Sequence, residues 1–154
     1  MYGRKRPDWN TYAMILAQAA STRSEDPYRQ VGASALRLDN SVAGLGYNGP
    51  PPKIEIDWSD RPGRQQYILH AERNCLNYVE KGECRLIACT VMPCEDCIRE
   101  IALKGIPLIV YGEVYLKNGE EPMEDIVTRL ASSFNIQLAH IPLVNLNIWQ
   151  GLNS

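Results

Sequence analysis

The sequence predicts one α/β domain spanning residues 1–154, with a central mixed sheet of about five strands and helices on both faces. Three observations carry that expectation. A chain of 154 residues is the size of a single domain that can bury a full core without disulfides. Two apolar runs early in the chain flank an Asp-Asn turn signal, as in a hairpin. Beyond them, short apolar runs alternate with segments of helical spacing that stop at glycine.

Taken in order, residues 8–22 follow Pro7 and place Tyr12, Ile15, Leu16 and Ala19 at helical spacing, with Asp8 as a cap. Residues 31–38 and 42–47 read as strands joined at Asp39-Asn40. Residues 48–66, rich in Pro, Asp, Gly and Arg, form the longest irregular segment, and loops this long inside a compact domain usually serve function. A second helix is expected over 71–81, stopped by Gly82, then a strand over 85–91 ended by Pro93. A third helix over 94–104 stops at Gly105, and a strand follows over 107–111. A fourth helix over 121–134 has an acidic first turn, which suits the helix dipole. Residues 136–141 make the last strand, and the tail beyond is expected to be loose or packed on a neighbour.

Composition narrows the function classes. The hydrophobic fraction of 45% and charged fraction of 22% are ordinary for a globular chain. Net charge is −2 with no basic stripe, so long nucleic acid is an unlikely partner, whereas a small phosphorylated substrate needs only a few local cations. Five cysteines (Cys75, Cys84, Cys89, Cys94 and Cys97) are an odd number, unlike a secreted disulfide framework. The basic start, Met1 to Pro7, is followed by no apolar run of the kind a secretory leader or membrane span requires. A cytoplasmic protein is expected.

The chemistry concentrates in His70-Ala71-Glu72 and in Cys94-Glu95-Asp96-Cys97 behind Pro93. One imidazole and two thiolates make a zinc site whose fourth position is left for water, as catalytic zinc sites commonly have. Cys94 and Cys97 stand three apart at a helix start, which puts both sulfurs on one face and lowers their thiol pKa. Zinc lowers the pKa of water to about 7. The Glu72 carboxylate can take that water's proton and deliver it to a ring nitrogen, then to a leaving amine. Hydrolytic deamination is the reaction this set suits, and H-x-E followed by P-C-x-x-C is the signature of zinc-dependent nucleobase deaminases. Two plainer readings stand beside it. A C-x-x-C alone is often half of a structural zinc knuckle, with a fourth ligand to be found among His140, Cys75, Cys84 and Cys89, or a redox pair. A redox pair has no need of His70 or Glu72. His140 reads as a core or interface histidine, and the other three cysteines as small buried apolar residues.

Further motifs carry a resemblance. Ser24-Glu25-Asp26-Pro27, Gln30-Val31-Gly32-Ala33, Gly46-Tyr47-Asn48-Gly49-Pro50, His70-Ala71-Glu72-Arg73-Asn74 and Pro93-Cys94-Glu95-Asp96-Cys97 resemble the deoxycytidylate (dCMP) deaminases of the cytidine deaminase superfamily, from about Thr11 to Ile141. Neighbouring groups fit less well. Free-nucleoside cytidine deaminases carry Cys where His70 stands, and riboflavin-pathway deaminases space the two cysteines more widely. The tRNA adenosine deaminases are more basic and have a shorter link than the twenty-one residues between Asn48 and His70.

The resemblance implies a three-layer α/β/α fold, one catalytic zinc, and hydrolysis of dCMP to dUMP and ammonia for thymidylate synthesis. It implies that Asn48 bonds the sugar hydroxyl, that the Ala71 N–H meets the pyrimidine carbonyl, and that Tyr115 packs near the ring. On spacing alone, Asn48-Gly49 is also an ordinary turn and Tyr115 an ordinary loop residue. A monophosphate needs cations or hydroxyls, and the candidates are Ser24 and Arg29, with Arg23 behind them. Relatives also imply a hexamer, with dCTP activating and dTTP inhibiting, and Arg73, Asn74, Asn77 and Lys81 along one helix as a route between sites. Leu69 and the scarcity of histidine argue against a second, structural zinc. The alternatives are a deaminase of dCTP, guanine or tRNA adenosine, and a non-catalytic module that senses a nucleotide through zinc.

Overall fold

The computed structural model describes residues 3–114 and 124–146. Helix α1 (Trp9–Ser21) begins where expected: the Asp8 carboxylate accepts the Thr11 N–H at 2.8 Å and caps it. Strands β1 (Gly32–Arg37) and β2 (Val42–Tyr47) form the antiparallel hairpin, and Asn40 takes the left-handed conformation (φ 68°) that its turn requires. On its other edge β1 pairs antiparallel with β3 (Cys84–Val91). Strands β4 (Leu108–Glu113) and β5 (Gln137–His140) then add in parallel, giving a mixed five-stranded sheet in the order β2-β1-β3-β4-β5.

Strand periodicity decides which layer each side chain joins. Leu86 and Ala88 of β3, with Val110 of β4, pack against Ala13, Met14 and Ala17 of α1. Ile87 and Cys89 of β3, with Ile109, point the other way. There they meet three helices: α3 (Ala71–Leu76), α4 (Glu95–Leu103) and α5 (Glu124–Ser133). The three expected layers are therefore present. No helix among the described residues is long and apolar enough to cross a membrane.

Three details differ from the sequence expectation. The helix expected over 71–81 ends at Leu76, and the chain tightens into turns, with Tyr78 N–H bonded to Cys75 O and Val79 N–H to Leu76 O. Two contacts hold those turns: Val79 is buried in the core, and the Lys104 ammonium donates to its carbonyl at 2.6 Å. The segment read as irregular contains a short helix, α2 (Arg61–Arg64), started by Asp60, whose carboxylate accepts the Gly63 N–H at 3.0 Å. The near part of the tail is tied to α1, because Val144 exchanges two hydrogen bonds of 2.8 and 2.9 Å with the Gln18 amide. The acidic first turn expected near 121 lies partly outside the described residues.

One close approach sets the position of α3. A Cβ at Gly46 of β2 would stand 2.4 Å from both the Ala71 carbonyl oxygen and the Cys75 nitrogen. Only a residue without a side chain lets this helix start lie so near the sheet. Gly46→Ala is expected to lower stability by about 1–3 kcal/mol, the usual cost of overpacking. Its thermal unfolding midpoint measures this, and a midpoint equal to that of the parent would contradict so close a contact.

Candidate active site

His70 and Cys94 are the N-cap residues of α3 and α4, both with extended backbones (ψ 153° and 173°). Neither side chain caps its helix, so both are left to face each other. His70 Nδ1 lies 3.5 Å from Cys94 Sγ and 3.4 Å from Cys97 Sγ. A tetrahedral zinc with its usual bond lengths to nitrogen and sulfur holds such donors about 3.5 Å apart, so the group fits that ion. Among the described residues no fourth His, Cys, Asp or Glu joins this metal-competent group. Cys75, Cys84, Cys89 and His140 therefore do not complete a closed structural site.

Electrostatics suit ligation. A hydrogen bond from Cys97 and a second from His70 hold the Cys94 thiol down to about 3, well into the thiolate range. Cys97, which donates to that thiolate, and is itself buried, is pushed up. His70 is raised, chiefly by its hydrogen bond to Cys94, against the effect of burial. Burial pushes Cys75 and Cys89 well above the ordinary thiol range, so these two stay neutral and inert. Glu72 is 4% exposed, with Oε2 3.5 Å from Cys97 Sγ. Its carboxyl is raised, mainly by burial, toward the range where a carboxyl group both gives and takes protons.

His70, Glu72 and Cys94 line a cavity of about 840 Å³. Asn48 and Ala71 line it too. Asn48 Oδ1 accepts the Val31 N–H at 2.8 Å, and its Nδ2 donates to the Arg29 carbonyl at 3.0 Å. The amide thus anchors the loop before β1, while its second lone pair and second N–H are still available to a ligand. Ala71 is the first residue of α3, where N–H groups lack intrahelical acceptors, and its buried methyl leaves the cavity open beside it.

The phosphate candidates divide. Arg29 lines the cavity and pairs with Glu113 at 3.0 Å. Ser24 does not line it: its hydroxyl donates to the Asn48 carbonyl at 2.9 Å and so positions that loop instead. Arg23 stands over the Tyr47 ring, 6.0 Å from its centre, and is likewise not on the cavity wall. Tyr115 lies outside the described residues. Of the four residues expected along one helix, Arg73 pairs with Glu100 of α4 and Asn74 bonds the Tyr47 carbonyl. Asn77 is the C-cap and Lys81 lies past the helix end, so the continuous helical route is not formed.

Among the wall residues that the sequence reading did not assign to the site are the charged Asp26, Arg61 and Arg64 and the aromatic Tyr28. Arg64 and Asp26 form an ion pair of 2.8 Å with side chains only 7% and 5% exposed. The segment carrying Arg61 and Arg64 leaves and returns at one point, because Gly49 and Leu69 exchange backbone hydrogen bonds of 3.1 and 2.9 Å. Asp26 already stood in a motif, and two arginines in the long loop were the available signal. Charged residues in a polar loop ordinarily read as solvated, which hid the pair.

Comparison with known proteins agrees with this site. Residues 7–113 match the family model of the cytidine and deoxycytidylate deaminase zinc-binding region. The deoxycytidylate deaminase of Mycobacterium phage D29 is 34% identical over 125 residues, covering 69% of this chain and 95% of that protein. The deoxycytidylate deaminase of Mus musculus is 29% identical over 133 residues, 77% of this chain and 74% of that one. In fold, the chain is similar to the crystal structure of the dCMP deaminase of cyanophage S-TIM5 in complex with dCMP and dUMP. The TM-score is 0.72 at 22% identity, over 90% of this chain and 100% of that one. A matching family model, a three-donor zinc group and the same layered sheet together place the chain in the cytidine and deoxycytidylate deaminase family.

Proposed function

We propose that the chain converts dCMP and water to dUMP and ammonia, a reaction that feeds thymidylate synthesis. The observation that carries the chemistry is Glu72, a buried carboxyl beside three donors that leave a coordination position open. Zinc held by His70, Cys94 and Cys97 would supply a Lewis acid that lowers the pKa of water to about 7. Glu72 takes a proton from the attacking water and places it on N3 of the ring, next to the carbon that bears the amine. The same carboxyl, again ionised, takes the remaining proton from the hydroxyl now on that carbon and gives it to the departing amine, so that the carbonyl forms as the C–N bond breaks and ammonia leaves. The Ala71 N–H holds the ring carbonyl, and Asn48 seats the sugar while fixing the loop around it. Burial of Glu72 excludes competing water from its carboxyl and raises its pKa above the usual carboxylate value.

The names of the relatives support dCMP as the nucleotide. A cavity of about 840 Å³ has room for one. A hexamer, control by dCTP and dTTP, and a cytoplasmic location belong to the same reading. Ammonia release from zinc-loaded protein tests it, with deoxycytidine, dCMP, dCTP, dAMP and dGMP, each with and without the two triphosphates. The expected result is fastest release from dCMP with dUMP as product. Release from a purine alone would overturn the substrate, and no release from any of the five would overturn the enzyme. Sedimentation of the same sample reports the assembly.

A further inference from the structure

We infer that Arg64 and Arg61 of α2 take the 5′-phosphate of the substrate, an assignment that rests on the nucleotide-deaminase reading above. Arg64 lines the cavity that also holds His70 and Glu72, yet its side chain is only 7% exposed. One of its N–H groups donates to Asp26 Oδ2 at 2.8 Å. Its Nε is buried with no hydrogen-bond partner, alone in this among the buried side-chain nitrogens and oxygens of the described residues. A buried guanidinium donor without an acceptor is costly and calls for a group with several oxygens.

Asp26 is not that group, because its oxygens are already engaged. Oδ2 accepts from Arg64, and Oδ1 accepts the Tyr28 N–H at 2.8 Å and the Arg29 N–H at 3.4 Å. Charge points the same way. Arg64 is matched by Asp26 and Arg29 by Glu113, while Arg61 has no ion-pair partner among the described residues. Arg61 and Arg64 both stand against the Tyr28 ring, 5.1 and 4.5 Å from its centre. The ring is itself fixed by a hydrogen bond from the Tyr28 hydroxyl to the Trp58 carbonyl at 2.9 Å. Asp26 offsets one of these two positive charges, so the pair keeps one unit of positive charge that an anion at the cavity wall would match. A phosphate monoester supplies that anion, with oxygens suited to the planar guanidinium.

The test compares substrates with and without the phosphate. Arg61→Gln alters an exposed side chain, and Arg64→Lys keeps a cation for Asp26 while removing the planar fork. In each variant the ratio of kcat/KM for dCMP to that for deoxycytidine is expected to fall about 10- to 100-fold, mainly through KM for dCMP, as for a lost charged hydrogen bond. Binding of dUMP to the zinc-loaded protein, measured by titration calorimetry, is expected to weaken by a similar factor, and binding of deoxyuridine to stay level. An unchanged ratio, or equal loss on both substrates and both products, would overturn the assignment. If Arg64→Lys does not fold by circular dichroism, Arg61→Gln alone decides. Wild-type protein that releases no ammonia from dCMP would count against the deaminase reading, and the dUMP titrations would still judge the arginines.

Discussion

Glu72→Gln is expected to keep the metal and lose deamination by about 10²- to 10⁴-fold, the usual worth of a positioned proton carrier. The amide matches the carboxylate in size, so the packing around this buried side chain is retained. It cannot accept a proton from water, nor give one to N3 or to the leaving amine. His70, Cys94 and Cys97 are untouched, and their spacing of 3.4–3.5 Å sets metal retention. Zinc content by elemental analysis and turnover of dCMP are measured on the same sample. Full metal with full activity would remove Glu72 from the reaction. Lost metal would instead mean that the carboxylate helps to hold the ion.

Asp26→Ala is expected to cost about 3–5 kcal/mol of stability, since it strands the Arg64 charge inside the protein. The pair is almost wholly buried, and the same carboxylate also accepts two backbone N–H groups of the 26–29 turn. Denaturant unfolding measures the loss. The double variant Asp26→Ala with Arg64→Met should recover part of it, because no uncompensated charge is left. Additive losses in the double variant would show that the two side chains act independently, against the geometry.

The fold was largely legible because its signals are local. Asp8 as a cap, Asp39-Asn40 as a turn, and Gly82 and Gly105 as stops are each read from a few neighbouring residues, and both glycines do take positive φ (80° and 72°). The metal group was legible for a related reason: its members lie 24 and 27 residues apart and recur at helix starts, whose chemistry is predictable. What stayed hidden depends on long-range packing. The early end of α3 follows from burying Val79, which helical spacing does not encode. The Asp26–Arg64 pair joins residues 38 apart through a loop, and no periodicity distinguishes a buried arginine from a solvated one. Ser24 lies off the cavity wall because a hydroxyl that suits phosphate suits the Asn48 carbonyl as well.

The backbone clasp between Gly49 and Leu69 has a consequence for how this enzyme type can diversify. Because the two ends of that excursion are fastened to each other, its length and contents can change without pulling on Asn48 or His70, which flank the clasp. If the arginines of α2 take the phosphate, reaction chemistry and ligand choice are written in different stretches of chain. A transplant of residues 50–68 from a relative with another ligand preference then has to keep one tie outside the clasp, the Arg64 partner of Asp26. With that tie kept, His70, Glu72, Cys94 and Cys97 stay as they are while the wall facing the ligand changes.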